Sequence, residues 1–202
     1  MVEELILVLL AVFGYVLGAI PFGVLVSKAL NLPDPRTVGS KNVGFTNVLR
    51  VSGTRAGILT LLGDLGKGWL VSWAAMQWLT TESFMMVVAL SPILGHMFSP
   101  FLGFKGGKGV ATALGSVLGL SPSMGTLLLL IWLGAVAIWR YSSGGALAAF
   151  GLFPVVAIVN EQRQEFLIFA IVVSALIWTK HKENIERLWK GTESRIGESR
   201  PG

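Results

Sequence analysis

The sequence predicts an all-α integral membrane protein of about seven transmembrane helices, with the N-terminus outside and the C-terminus cytoplasmic. Three observations carry that expectation. Of its 202 residues, 53% are hydrophobic and 13% charged, against about 25% charged in an ordinary soluble domain. The mean hydropathy is +0.70. Apolar runs near the roughly 20 residues that cross a hydrocarbon core recur along the chain, and Lys and Arg collect in alternate connections, as short cytoplasmic loops do.

The first run, Leu5 to Leu30, is interrupted by Gly14, Gly18 and Pro21. It is preceded by Glu3 and Glu4, not by the basic stretch of a cleaved signal, so it reads as a retained span. A polar, Pro- and Gly-containing connection follows from Asn31 to Gly53. Ala56 to Leu79 is the second span and carries Asp64 and Lys67; Ser83 to Phe101 is the third, with His96 near its end. Val110 to Leu120 covers about half a crossing and reads as a tilted or incomplete span. Pro122 to Trp139, Gly144 to Val159 and Glu165 to Trp178 complete the set.

Charge then assigns the sides. Glu3, Glu4, Glu82 and the group Glu161, Arg163 and Glu165 fall outside; Arg163 alone opposes the pattern. Arg36, Lys41, Arg50 and Arg55, then Lys105 and Lys108, then Arg140, then Lys180, Lys182, Arg187, Lys190, Arg195 and Arg200 fall inside. A five-span arrangement preserves part of this asymmetry. Residues 1–202 read as one polytopic membrane domain whose polar segments 31–55, 103–109 and 180–195 share the cytoplasmic side. The net charge of +5 therefore belongs to topology and anionic lipid contact, not to nucleic acid. The chain has no cysteine, which excludes disulfides and thiolate chemistry.

Three segments carry candidate chemistry. In GSKNVGFTNVLR, Ser40, Asn42, Thr46, Asn47 and Arg50 combine hydroxyl, amide and guanidinium donors on a glycine-containing loop, a composition suited to an anion. A loop that merely caps the next helix has similar turn residues. In FKGGKGVAT, Lys105, Gly106, Gly107, Lys108 and Gly109 precede Thr112 where a helix begins. Orphan N–H groups and the helix dipole favour an anion there, although a basic interfacial turn would look alike. The Walker A spacing is absent, so ATP is not implied. In HKENIERLWKGTE, His181 and Asn184 lie one turn apart, and Ile185, Leu188 and Trp189 sit at the spacing of an interfacial amphipathic helix. Asp64 and Lys67, at i and i+3, share a helix face as a pair inside a span. His96 can titrate near neutrality, but two histidines distant in sequence, without an HExxH motif, do not suggest a metal. No cofactor is implied.

These three segments, in this order, together with LLGDLGKGW, resemble the PlsY-type acyl-phosphate:glycerol-3-phosphate acyltransferases of bacteria. The resemblance covers nearly the whole chain. It implies a seven-helix protein of the bacterial cytoplasmic (inner) membrane that transfers a fatty acyl group from acyl-phosphate to the position-1 hydroxyl of glycerol 3-phosphate. The products would be lysophosphatidic acid and phosphate. By the same resemblance Ser40 and Arg50 are essential, Lys105 to Gly109 bind phosphate, His181 and Asn184 serve catalysis, and Glu193 supports integrity. The family more often has GSGNIGATN, so Lys41 and Phe45 replace small residues here. Ser40, His181, Asn184 and His96 are the catalytic candidates. Ser40, Asn42, Thr46, Asn47, Arg50, Lys105 to Gly109 and Thr112 are the substrate-binding ones, and Asp64, Lys67 and Glu193 the structural ones.

Attack on the acyl carbon needs a proton acceptor and donors for the oxyanion. Asn184 or backbone N–H groups are the donor candidates. His96, His181 and the substrate's own phosphate are the acceptors, with the phosphate ranked first because no His–acid pair is visible in the sequence. A small membrane transporter or channel using Asp64 and Lys67 is the alternative reading. A lipid phosphatase ranks lower, since no DxxD pattern exists.

Overall fold

The computed structural model describes residues 1–160 and 162–197. Glu161 and Arg200, counted above among the loop charges, lie outside them. Among the described residues all regular structure is helical: α1 (Val2–Ala19), α2 (Phe22–Ala29), α3 (Phe45–Trp78), α4 (Glu82–Met97), a 3-10 turn (Pro100–Leu102), α5 (Val110–Leu120), α6 (Pro122–Trp139), α7 (Ser142–Val159), α8 (Gln164–Lys180) and α9 (Lys182–Trp189). They form two compact units, Met1–Pro122 and Ser123–Gly202.

Two expected boundaries move, each for a backbone reason. The run from Leu5 to Leu30 is not one helix. α1 stops at Ala19, and Ile20 turns extended at ψ 118°, because a residue before proline is pushed out of the helical region and Pro21 has no N–H to continue the ladder. The polar connection expected to last until Gly53 instead turns helical at Phe45. Helix α3 then breaks at Gly53, which takes φ 84° and ψ 176°, a region open chiefly to glycine. The first motif is therefore half loop and half helix.

Among the described residues four helices are long and apolar enough to cross a membrane, and the bent pair Gln164–Lys180 and Lys182–Trp189, at 61°, makes up to five. α5 is apolar but has 11 residues, about 16 Å of helix. The outward face of α1 is apolar: Leu5, Leu9, Val12, Phe13 and Val16 are half or more exposed, as expected of a surface that meets lipid.

In the first unit, small residues let backbones touch, the usual basis of helix association in lipid. A Cβ on Gly18 of α1 would lie 2.3 Å from the Pro92 carbonyl of α4, and one on Gly95 of α4 would lie 2.1 Å from that of Tyr15. Likewise Gly68 of α3 faces Thr112 O of α5, and Gly115 of α5 faces Leu65 O of α3. At the far end of α1, Glu3 accepts hydrogen bonds from the N–H groups of Thr80 (2.7 Å) and Thr81 (2.8 Å), which anchors the entry to α4. In the second unit α7 and α8 pack through an edge-to-face cluster of Phe150, Phe153, Phe166 and Phe169, tied by the Ser174 hydroxyl donating to Phe150 O.

Adding a methyl group at Gly18 meets fixed backbone, so Gly18→Ala should destabilise the detergent-solubilised protein by about 1–3 kcal/mol. Gly66, with no atom within 4 Å of its would-be Cβ, should instead gain roughly 0.5–1 kcal/mol as Ala. Thermal melts of the two variants separate these outcomes.

Candidate active site

The first motif is organised by one amide. The Asn47 side chain is buried. Its Nδ2 donates to Pro35 O (3.0 Å), Val38 O (3.2 Å) and Asn42 O (2.9 Å), and its Oδ1 accepts from the Ser40 N–H at 2.9 Å. Asn42 adds an Asx turn, its Oδ1 accepting from Gly44 N–H at 2.9 Å. Both amides are thus engaged in shaping the loop. Ser40 is exposed on it. Thr46 and Arg50 stand one turn apart on the short helix that runs up to the Gly53 break. Gly39 has φ +63°, and a Cβ there would lie 2.3 Å from Asn47 Oδ1. Lys41 also takes a left-handed φ of 59°, a conformation that explains why a glycine would suit this position better.

The glycine-rich segment straps over the end of α4. Gly106 N–H donates to Met97 O (3.2 Å) and Gly107 N–H to His96 O (3.0 Å). A Cβ on Gly106 would sit 1.9 Å from His96 O, and one on Gly107 would sit 2.1 Å from His96 Nε2. Gly109 then enters α5 at φ 80° with no side-chain cap on that N-terminus. Lys105 is exposed and Lys108 partly so. Thr112 is fully buried on α5, where its carbonyl meets Gly68 of α3.

Behind the loop lies a buried polar cluster. Lys67 Nζ donates to Asp64 Oδ1 (2.8 Å) and Ile20 O (3.1 Å) and lies 2.9 Å from His96 Nδ1. The Phe22 ring is 5.7 Å from Nζ. The cluster and both motifs converge on the α1–α2 break. Gly23, just past it, abuts Val43 O of the first motif. Ile20 O takes the lysine, and Ala19 O accepts from the Ser99 hydroxyl at 2.6 Å, just before the glycine loop. Sequence spacing found the Asp64–Lys67 pair but not its histidine, 29 positions away from Lys67.

In the second unit, His181 caps the bend between α8 and α9 and its Nδ1–H donates to Ile177 O at 2.8 Å. Asn184 is buried. Glu193 accepts from Asn184 Nδ2, Ser143 Oγ and Arg187 Nε, each at 2.6 Å. Burial would raise the Glu193 carboxyl, but these hydrogen bonds and the Arg187 charge hold it below the ordinary 4.5. Ser143 and Arg187 were not singled out from sequence. Ser143 lies in the Ser-Ser-Gly-Gly start of α7, which is its only local signal. Trp189 is 90% exposed, on the outer side of the amphipathic α9.

Residues 8–191 match the family model described as glycerol-3-phosphate acyltransferase. The chain belongs to that family. A glycerol-3-phosphate acyltransferase of Methylococcus capsulatus is 45% identical over 95% of this chain and 97% of its own length, and one of Methylobacillus flagellatus is 47% identical over 91% and 94%. The crystal structure of PlsY (YgiH), an integral membrane glycerol 3-phosphate acyltransferase, in its glycerol 3-phosphate form superposes with TM-score 0.90 at 41% identity, covering 95% of this chain and 96% of that one. Its lysophosphatidic acid form gives 0.88 at 38%, covering 95% of each. The transporter alternative loses its main support, because Asp64 and Lys67 are bonded to each other and buried in this acyltransferase-family chain.

Two measurements test the loop and the tail. Lys41→Gly should relieve the left-handed backbone and gain about 0.5–1 kcal/mol in thermal stability. The Glu193 carboxyl titrates below 4.5 when folded. Its stabilisation is therefore complete above that pH and lost as pH falls through the folded value. Glu193→Gln should accordingly lower the melting temperature at neutral pH, and the gap to wild type should close on acidification.

Proposed function

We propose that this protein moves a fatty acyl group from acyl-phosphate to the position-1 hydroxyl of glycerol 3-phosphate, giving lysophosphatidic acid and phosphate. The reaction takes place at the cytoplasmic face of the bacterial inner membrane. The observation that carries the proposal is the glycine loop of 105–109, strapped by its own N–H groups to α4 and opening the uncapped N-terminus of α5. Its family context is the match to an acyltransferase solved with glycerol 3-phosphate. Orphan N–H groups, a helix dipole and two lysines favour a phosphate there.

Ser40 and Arg50 from the first motif complete the phosphate contacts, with Thr46 on the Arg50 face. Asn42 and Asn47 act by shaping the loop, since their amides are hydrogen-bonded within it. Thr112 acts through α3–α5 packing. His181 and Asn184 are proposed as catalytic on the family resemblance, with Glu193 supporting Asn184. In the reaction the glycerol hydroxyl oxygen bonds to the acyl carbon, the acyl–phosphate bond breaks, and inorganic phosphate departs. The hydroxyl proton passes to the substrate's phosphate. The donor is already activated, so no acyl-enzyme is required.

Seven crossings in one polytopic domain, with the N-terminus outside, are part of the proposal, as are cytoplasmic segments 31–55, 103–109 and 180–195. The Lys and Arg distribution supports this sidedness, and the mutual neutralisation of Asp64 and Lys67 is what would let α3 cross.

The test incubates purified protein with glycerol 3-phosphate and acyl-phosphate and follows phosphate and lysophosphatidic acid. Wild type should form both in equal amounts. Arg50→Ala should raise the KM for glycerol 3-phosphate at least about tenfold, the worth of one charge-assisted hydrogen bond. Activity with acyl-CoA and none with acyl-phosphate would defeat the donor assignment.

A further inference from the structure

We propose that the buried Asp64–Lys67 pair locks His96 in the tautomer that carries its proton on Nε2, so that His96 serves the glycine loop as a hydrogen-bond donor and not the reaction as its base. The second half of this statement rests on the proposed acyl transfer; the first half does not.

An ammonium only donates, and it has three hydrogens. Around Lys67 Nζ stand three acceptors: Asp64 Oδ1 at 2.8 Å, Ile20 O at 3.1 Å and His96 Nδ1 at 2.9 Å. The side chains of Asp64, Lys67 and His96 are each at most 6% exposed, so the bonds they make with one another matter most. Nδ1 must therefore present its lone pair to Lys67. Asp64 Oδ1 lies 3.4 Å from the same nitrogen, and the ammonium, closer to both, bridges them. A proton on Nδ1 would set two donors against each other 2.9 Å apart. The neutral ring consequently holds its proton on Nε2.

That nitrogen faces the loop. The place where a Gly107 Cβ would be lies 2.1 Å from Nε2, and the N–H groups of Gly106 and Gly107 bond back to the carbonyls of Met97 and His96. The loop is laid directly over the imidazole edge, and glycine at 107 is what admits the ring. An Nε2–H there adds one more donor to a segment already suited to an anion. A general base at the same place would need the lone pair that this nitrogen lacks. Asp64 and Lys67 are then positioning residues that act through His96.

The chain has two histidines, so ¹⁵N-labelled His181→Gln protein leaves His96 as the only imidazole for NMR. The expected spectrum is that of an Nε2–H ring; an Nδ1–H ring would overturn the lock, whether or not the protein proves active. Removing both charges together, in Asp64→Asn/Lys67→Met, avoids a lone buried charge and should release the tautomer; an unchanged spectrum would show that the pair is not the cause. In the acyl-phosphate assay, His96→Gln keeps an amide donor but no basic nitrogen, so its loss should fall on KM more than on kcat and be smaller than that of His96→Leu. Loss of a general base costs about 100-fold or more, and a fall of that size in His96→Gln would overturn the donor role. His96→Leu should raise the KM of a phosphate-bearing substrate about tenfold with a much smaller change in kcat, and measuring both substrates identifies which phosphate the loop holds. A ring needed only for packing would show no such split and no rescue by Gln. Absence of any product from wild type would end the proposed function while leaving the tautomer test standing.

Discussion

One ammonium ties the first unit together. Lys67 reaches from the middle of α3 to the last carbonyl before Pro21, to a carboxylate one turn back on its own helix, and to a histidine on α4. Because proline ends the helix there, Ile20 O turns toward Lys67 while also accepting the Phe22 N–H at 3.1 Å; in a continuous helix it would point along the helix axis to an intrahelical donor. The proline supplies an acceptor, the acceptor holds the lysine, and the lysine fixes the ring on which the glycine loop rests. In a low-dielectric interior such a set is stable only when every member is satisfied, because one missing partner leaves a bare charge.

Glycine does two separate jobs around this centre. At Gly18, Gly68, Gly95 and Gly115 it lets helix backbones meet, and the conformation is ordinary. At Gly39, Gly53 and Gly109 the backbone takes a positive φ, which turns the first motif's loop, breaks α3 and opens α5 respectively. Gly106 and Gly107 belong to the first kind although they sit in a loop: their φ is not unusual, and what they provide is room for His96. The apparent flexibility of a KGGKG sequence is therefore misleading. The segment is held by two backbone hydrogen bonds to α4.

How much of this was legible depended on distance along the chain. Period and composition identify helices at nearly every expected run, and α5 through α8 begin and end within a few residues of the expected bounds, because their limits coincide with local polar or Gly and Pro signals. The first apolar run holds two helices because apolarity continues through Pro21 while the helical backbone does not. The start of α3 lies earlier than composition suggests because Phe45 to Ser52 is polar enough to resemble a loop, yet Asn47 and Val48 are buried, the first bonded to Pro35 O, 12 positions away, and the second packed beside Gly23. The Asp64–His96 approach and the convergence of Ser143, Asn184 and Arg187 on Glu193 join residues that no short window contains.

That last class of contact changes the chemistry that can be argued. The sequence shows no His–acid pair, and the structure supplies one, at 3.4 Å, only to interpose a lysine between its members. Glu193 is likewise occupied by three donors, and His181 has turned one ring nitrogen to a backbone carbonyl. The carboxylates and imidazoles nearest the motifs are thus bound into the framework, where they orient loops and helix ends. A phosphate monoester brings its own titratable group, with a second pKa of about 6. A proton acceptor works best when its pKa lies near the working pH. On the proposed reading the protein's task is to grip that phosphate and align the hydroxyl with an acyl carbon that is already activated, for which donors held in fixed geometry are what the reaction needs.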